Sequence, residues 1–135
     1  ANLGVEPMPL TKIISGGEMS RFMLAFKVLQ NDGLGKTCIF DEIDTGISGE
    51  VALKVGEVME DLSENMQVIA ISHLPQIASK GTAHFKVYKN DKDNKTYSNI
   101  LLLDKEQRIL EIAQMLSGIN PGEAALQHAK DLLGQ

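Results

Sequence analysis

The chain has 135 residues, 43% of them hydrophobic and 23% charged, so it is long enough for one domain with its own core. Its formal net charge of −5 gives no overall basic field, which disfavours direct nucleic-acid binding by this chain. No apolar run approaches the roughly 20 residues that cross a bilayer, and no membrane contact is expected. Cys38 is the single cysteine, which excludes an intramolecular disulfide and favours the reducing cytoplasm. The chain begins with Ala1 and shows no signal-peptide pattern, so we expect a piece of a longer protein.

The first predicted helix follows an extended N-terminal segment and a pair of glycines. Apolar residues recur at helical spacing over residues 18–30. Ser15 and Glu18 form a capping-box pattern at the start of this helix. Gly16 and Gly17 permit close backbone approach, and the N-terminus of a helix favours an anion. The same pattern is also typical of an ordinary helix cap.

Two short apolar runs predict neighbouring parallel strands. The first covers residues 37–40 and ends at Asp41 and Glu42, and the second covers residues 67–71 and ends shortly before His73. Neither run alternates with polar residues, as is typical of strands that are covered on both faces. Cys38 lies in the first run and is expected to be a small buried core residue.

The rest of the chain predicts helices and a hairpin. Partial alternation on either side of a polar stretch predicts an antiparallel hairpin from residues 84–89 and 96–103. Helices are predicted over residues 51–62, 74–79, 106–116 and 122–133. The order of these elements predicts an α/β fold, with parallel core strands flanked by helices plus a terminal β-hairpin and helices.

One phosphate-binding motif is only partly matched. Gly35, Lys36 and Thr37 match the end of the P-loop pattern G-x-x-x-x-G-K-[ST], but its first glycine position holds Gln30. A P-loop follows a strand and opens a helix, whereas here a helix precedes the motif and a strand follows it. Lys36 is therefore expected to be a solvated loop residue, and the chain contains no Walker A motif.

Acidic residues at the carboxyl end of a parallel strand lie where α/β proteins bind ligands. Asp41 or Glu42 could hold Mg²⁺ directly or through water, while the other carboxylate polarises an attacking water. His73 follows the second strand and could donate to a phosphate oxygen. On these residues alone, a solvated acidic loop and an ordinary loop histidine remain open alternatives.

Taken in order, these stretches resemble the motifs of the C-terminal half of an ATP-binding-cassette ATPase head. Residues 14–18 (Ile-Ser-Gly-Gly-Glu) are similar to the signature motif, with isoleucine in its first place, and residues 37–41 resemble Walker B. Glu42 stands in the catalytic glutamate position, Asp44 falls in the D-loop and His73 matches the switch histidine. The surrounding runs 15–21, 40–49 and 72–76 resemble SMC-like bacterial ATPases linked to double-strand-break repair. The helix containing residues 123–126 also fits that family.

The resemblance implies one domain over residues 1–135, the C-terminal lobe of an ABC/SMC-type P-loop ATPase head. Its cofactors would be ATP and Mg²⁺, with Asp41 supporting the metal through water. Glu42 would be the general base and His73 would contact the γ-phosphate. Residues that would serve the nucleotide of an opposite head are Ser15, Gly16, Gly17 and Glu18. Coupling between the two sites would fall to Asp44.

The resemblance also implies partners that this chain lacks. They are the N-terminal half of the same head, which carries Walker A, and a second head in an ATP-dependent homodimer. DNA would be engaged through the full-length protein, in the cytoplasm and on the nucleoid, and this chain alone is expected to be inactive. Two alternatives remain: a non-enzymatic module that holds a partner or the complementary half-domain, and a metal-dependent hydrolase built from Asp41, Glu42, Asp44 and His73.

Overall fold

The computed structural model describes residues 16–30, 36–92 and 95–135. The chain divides into two compact units, Ala1–Ser72 and His73–Gln135. Ser15 lies outside the described residues, so its capping role and its place in the signature motif stay predictions. The single domain expected over residues 1–135 likewise stays a prediction. Within the described part of the chain, no helix is long and apolar enough to cross a membrane.

The first unit is a strand–helix–strand arrangement preceded by a helix. Its elements are helix α1 (Gly16–Gln30), strand β1 (Thr37–Phe40), helix α2 (Gly49–Ser63) and strand β2 (Gln67–Ala70). β1 pairs with β2 in parallel, with Thr37 opposite Gln67 and Phe40 opposite Ala70. The backbone N–H of Ile71 then donates to the carbonyl of Phe40 at 2.9 Å. The predicted parallel pair is confirmed, and both strands end at the same edge.

Burial in the first unit alternates along β1, because only one face of this sheet is covered. Phe40 is buried and Cys38 is partly buried, whereas Thr37 and Ile39 are exposed. The prediction of strands covered on both faces is therefore wrong for this chain: Ile39 is 66% exposed and Ile71, just past β2, is 57% exposed. Cys38 is less buried than predicted for the same reason. The buried apolar residues of the unit are Leu24, Phe40, Ile43, Ala52, Met59, Leu62 and Met66.

The second unit combines a short helix, a hairpin and two further helices. These are α3 (Pro75–Ala78), β3 (Phe85–Lys92), β4 (Lys95–Leu102), α4 (Lys105–Ser117) and α5 (Glu123–Leu132). β3 and β4 pair in antiparallel register, from Phe85 opposite Leu102 to Lys92 opposite Lys95. The predicted hairpin is confirmed, and the two C-terminal helices begin and end within about two residues of their predicted bounds.

The core of the second unit lies between α4 and α5. Ile112, Ala113 and Ala129 are fully buried there, and Ala78 of α3 packs against them. α4 begins at a capping box, in which the Gln107 N–H donates to Asp104 Oδ1 at 2.8 Å and the Asp104 N–H donates to Gln107 Oε1 at 3.0 Å. Two backbone donors at the start of α4 are thereby satisfied.

One face of the hairpin remains open. Two cross-strand pairs, Phe85–Leu102 and Val87–Ile100, place four apolar side chains on that face, and each is more than half exposed. The opposite face carries Lys86, which forms an ion pair with Glu111 of α4. The hairpin therefore has one face toward α4 and one apolar face that nothing in the described part of its own unit covers.

Candidate active site

The predicted acids lie in a tight turn directly after β1. The Glu42 N–H donates to Asp41 Oδ1 at 2.9 Å, and the Thr45 N–H donates to the Glu42 carbonyl at 3.2 Å. A third bond joins the Ile47 N–H to the Asp44 carbonyl at 3.3 Å. These local bonds reverse the chain at the carboxyl end of the sheet, where ligands of parallel sheets bind.

Glu42 adopts a left-handed backbone conformation, with φ +56°. This region costs a residue with a Cβ atom about 1–2 kcal/mol, and such conformations cluster at functional sites. The Glu42 side chain is exposed, as is that of Asp41. The turn thus presents two adjacent carboxylates to solvent on a strained backbone.

Helix α1 holds this turn by side-chain hydrogen bonds to its carbonyls. Ser20 Oγ donates to the Asp41 carbonyl at 2.7 Å. Arg21 Nη1 donates to the carbonyls of Ile43 at 3.1 Å and Thr45 at 2.8 Å. Hydrogen bonds from a charged donor are stronger than neutral ones, so the two bonds of Arg21 fix the turn to α1. The turn that carries Glu42 is fixed to the helix that carries the predicted signature glycines.

Gly17 lies against the same turn and has no room for a side chain. A Cβ atom on Gly17 would meet Thr45 Cβ at 2.6 Å and the carbonyl oxygens of Glu42 and Thr45 at 2.9 Å. Such separations are shorter than real Cβ atoms tolerate, so the close approach requires glycine. Gly16 begins α1 and Glu18 lies exposed in its first turn, where a carboxylate is favourable to the helix dipole.

Asp44 joins the turn to the end of β2. It is only 4% exposed, and its Oδ2 accepts a hydrogen bond from Ser72 Oγ at 2.7 Å. A buried carboxylate needs such a donor, because losing its hydration is costly. The two strand ends are thus linked by side chains as well as by the ladder.

The first unit therefore brings together Gly17, Asp41, Glu42 and Asp44. His73 follows Ser72 in sequence and is the first residue of the second unit, with an exposed side chain. Lys36 is exposed next to β1, in agreement with its prediction as a loop residue. Among the described residues, no group of three or more His, Cys, Asp or Glu side chains is arranged to hold a metal ion.

Three residues that hold the turn in place were not predicted from the sequence. Ser20 and Arg21 reach carbonyls 21 to 24 residues further along the chain, and Ser72 reaches Asp44 across 28 residues. Their only signal in the sequence is proximity to the glycine pair and to His73.

The fold is that of SMC ATPases. A solved structure described under "Structural biochemistry of ATP-driven dimerization and DNA stimulated activation of SMC ATPases" aligns with a TM-score of 0.55 and 19% identity. The alignment covers 87% of this chain and 70% of that chain. The predicted class, an α/β lobe of an SMC-type head, is confirmed.

Similarity in sequence is more specific than the similarity in fold. The chain is 45% identical to the DNA repair protein RecN of Haemophilus influenzae, 47% to that of Rickettsia bellii and 44% to that of Deinococcus radiodurans. Each alignment covers 98% of this chain, but the chain spans only 24%, 24% and 23% of those relatives, about a quarter of their length. No family model matches. The chain is similar over nearly its whole length to the C-terminal part of RecN, which confirms the resemblance predicted from its motifs.

Proposed function

We propose that this chain is the C-terminal part of an SMC-like ATPase head of RecN type, acting in DNA double-strand-break repair through ATP-dependent head dimerisation and ATP hydrolysis. The observation that carries the proposal is the turn after β1. There Gly17 and Arg21 of α1 hold a strained, solvent-facing Glu42. The similarity to RecN supports the same role. The protein works in the cytoplasm, on the nucleoid.

Glu42 is the proposed general base. Its carboxylate takes a proton from a water molecule as the water oxygen attacks the γ-phosphorus of ATP, and the bond to the β–γ bridging oxygen breaks. Asp41, beside it, supports Mg²⁺ through water. An exposed carboxylate suits a hard cation that keeps most of its waters and binds mainly to phosphate oxygens. When bound, Mg²⁺ supplies charge neutralisation on the phosphates.

The site is proposed to be composite. The first turn of α1, with Gly16, Gly17 and Glu18, and with Ser15 before it, contacts the nucleotide of an opposite head. Backbone N–H groups and the helix dipole favour phosphate there. His73 contacts the γ-phosphate of its own head's nucleotide. Asp44 couples the two sites, since it lies in the turn that α1 holds.

The first of the proposed partners follows from the apolar surface that this chain leaves exposed. The exposed side chains of Ile39 and Ile71 at the β1–β2 sheet would be covered by the N-terminal half of the same head, which carries Walker A. A second head completes an ATP-dependent homodimer, and DNA is bound through the full-length protein. The interaction module remains the second candidate, and the same apolar exposure favours it.

Mixing experiments separate the two candidates. We expect this chain alone to show no ATP turnover and no micromolar binding of Mg-ATP by calorimetry, because its sequence contains no Walker A motif to hold the phosphates of its own nucleotide. Addition of an N-terminal segment with Walker A should restore turnover. Turnover or micromolar binding by the chain alone would contradict the proposal, and assembly without turnover would favour the interaction module.

A further inference from the structure

Arg108 connects helix α4 to the short helix α3. Its Nη2 donates to the carbonyl oxygens of Ala78 at 3.3 Å and Ser79 at 3.0 Å, and also to that of Gly81. These three carbonyls lie within four residues of one another where α3 ends. The guanidinium of Arg108, on α4, therefore provides hydrogen-bond donors for carbonyls at the C-terminal end of α3.

α3 depends on such support because it has only four residues. Isolated helices of this length do not form in water, and the last carbonyls of any helix lack partners within it. α3 has no side-chain cap at its N-terminus and no basic residue in its last turn. Its own attachment is the burial of Ile77 and the packing of Ala78 on the α4–α5 core. Arg108 adds hydrogen bonds that connect α3 to α4.

Helix α4, which carries Arg108, is itself held in place. α4 is fixed at one end by its capping box, in the turn before Arg108, and by fully buried Ile112 in the turn after it. Burial lowers the pKa of Arg108, and the guanidinium stays protonated. All three contacts come from one nitrogen, Nη2, at the far end of the guanidinium. The ammonium of lysine lies one atom closer to the backbone, so lysine does not reproduce them fully.

His73 lies immediately upstream of the supported helix. Leu74 is the N-cap residue of α3, with φ −95° and ψ 126°, an extended conformation that the following Pro75 favours. Pro75 is buried at the start of α3. One residue with restricted backbone freedom thus separates His73 from a helix that Arg108 holds in place.

We propose that Arg108 is a positioning residue for His73: by holding the carbonyl end of α3 on α4, it fixes the position of the histidine backbone relative to the second unit. The inference rests on the proposed function, in which His73 contacts the γ-phosphate. Arg108 itself touches no substrate. Its effect on the reaction passes through α3.

The test uses the full-length protein with Arg108→Gln. We expect kcat for ATP to fall about 10- to 100-fold, the range that a small misplacement of a reacting group produces, with little change in KM. Lys105→Gln removes one positive charge from the exposed first turn of the same helix and should leave both constants unchanged. Arg108→Lys keeps the charge but places its nitrogen one atom closer to the backbone, so its kcat should lie between those of the wild type and Arg108→Gln.

A double-mutant comparison separates positioning from general destabilisation. In a His73→Ala background, Arg108→Gln should lower kcat no further, although it should still lower the melting temperature. Multiplication of the two losses, or an unchanged kcat in Arg108→Gln, would overturn the inference. If Arg108→Gln does not fold, Arg108→Lys serves for the same comparison. Unchanged turnover in His73→Ala alone would instead remove His73 from the proposed function.

Discussion

Glu42→Gln in the full-length protein is expected to lower ATP turnover by about 10²- to 10⁴-fold, the usual contribution of a general base. The amide has nearly the same shape as the carboxylate but does not accept the proton of the attacking water. Binding of ATP should persist, so an ATP-bound dimer should accumulate. Phosphate release measures the first effect, and light scattering after gel filtration with ATP measures the second.

A second substitution at the same position tests the left-handed backbone conformation of Glu42. Glu42→Gly should abolish turnover equally but raise stability by about 1 kcal/mol, because glycine adopts φ +56° without a Cβ penalty. Glu42→Gln keeps the Cβ atom and should melt like the wild type. Unchanged turnover in Glu42→Gln would remove Glu42 from the base role, and a lower melting temperature in Glu42→Gly would contradict the strain.

Gly17→Ala is expected to impair both stability and turnover. The new methyl group would approach Thr45 Cβ at 2.6 Å and two backbone carbonyls at 2.9 Å, so α1 must move away from the turn. Overpacking of this kind costs about 1–3 kcal/mol. Because the turn carries Glu42, we also expect kcat to fall at least about tenfold, as displaced reacting groups commonly do.

Gly122→Ala is the control for this substitution. A Cβ atom on Gly122 would meet nothing within 4 Å, and its φ of −76° suits any residue. This variant should keep wild-type turnover and stay within about 1 kcal/mol of the wild type in stability. Alanine is a poorer N-cap residue than glycine for α5, but it also reduces the freedom of the unfolded chain. Thermal melting and steady-state turnover of both variants give the comparison. Wild-type values for Gly17→Ala would show that the close approach is not required.

The elements were predictable because their signals are local. Helical periodicity set helix bounds to within about two residues, and two apolar runs separated by a helix favoured the parallel pair. The capping box of Asp104 emerged only in the folded chain. Burial was not predictable in the same way. Whether Ile39 is covered depends on which segments pack on the sheet, and a run of apolar residues does not contain that information.

The residues of the candidate site fall into the same two groups: those with a local signal in the sequence, and those whose contacts depend on the folded structure. Asp41, Glu42 and Gly17 could be proposed as site residues because their types and order resemble known motifs. The contacts of Arg21 with Ile43 and Thr45 could not, since they join residues more than 20 positions apart and depend on the angle at which α1 meets the turn. The coupling role of Asp44 was predicted only from the resemblance of its stretch to the D-loop, and its burial against Ser72 emerged only in the folded chain.

The open face of the hairpin has a consequence for the handling of this chain in solution. Val87 and Ile100, paired across the strands, are 69% and 68% exposed, and adjacent apolar side chains on a strand surface promote association between copies. The tendency to associate rises with protein concentration. We therefore expect the isolated chain to need low temperature and dilute conditions to stay monomeric.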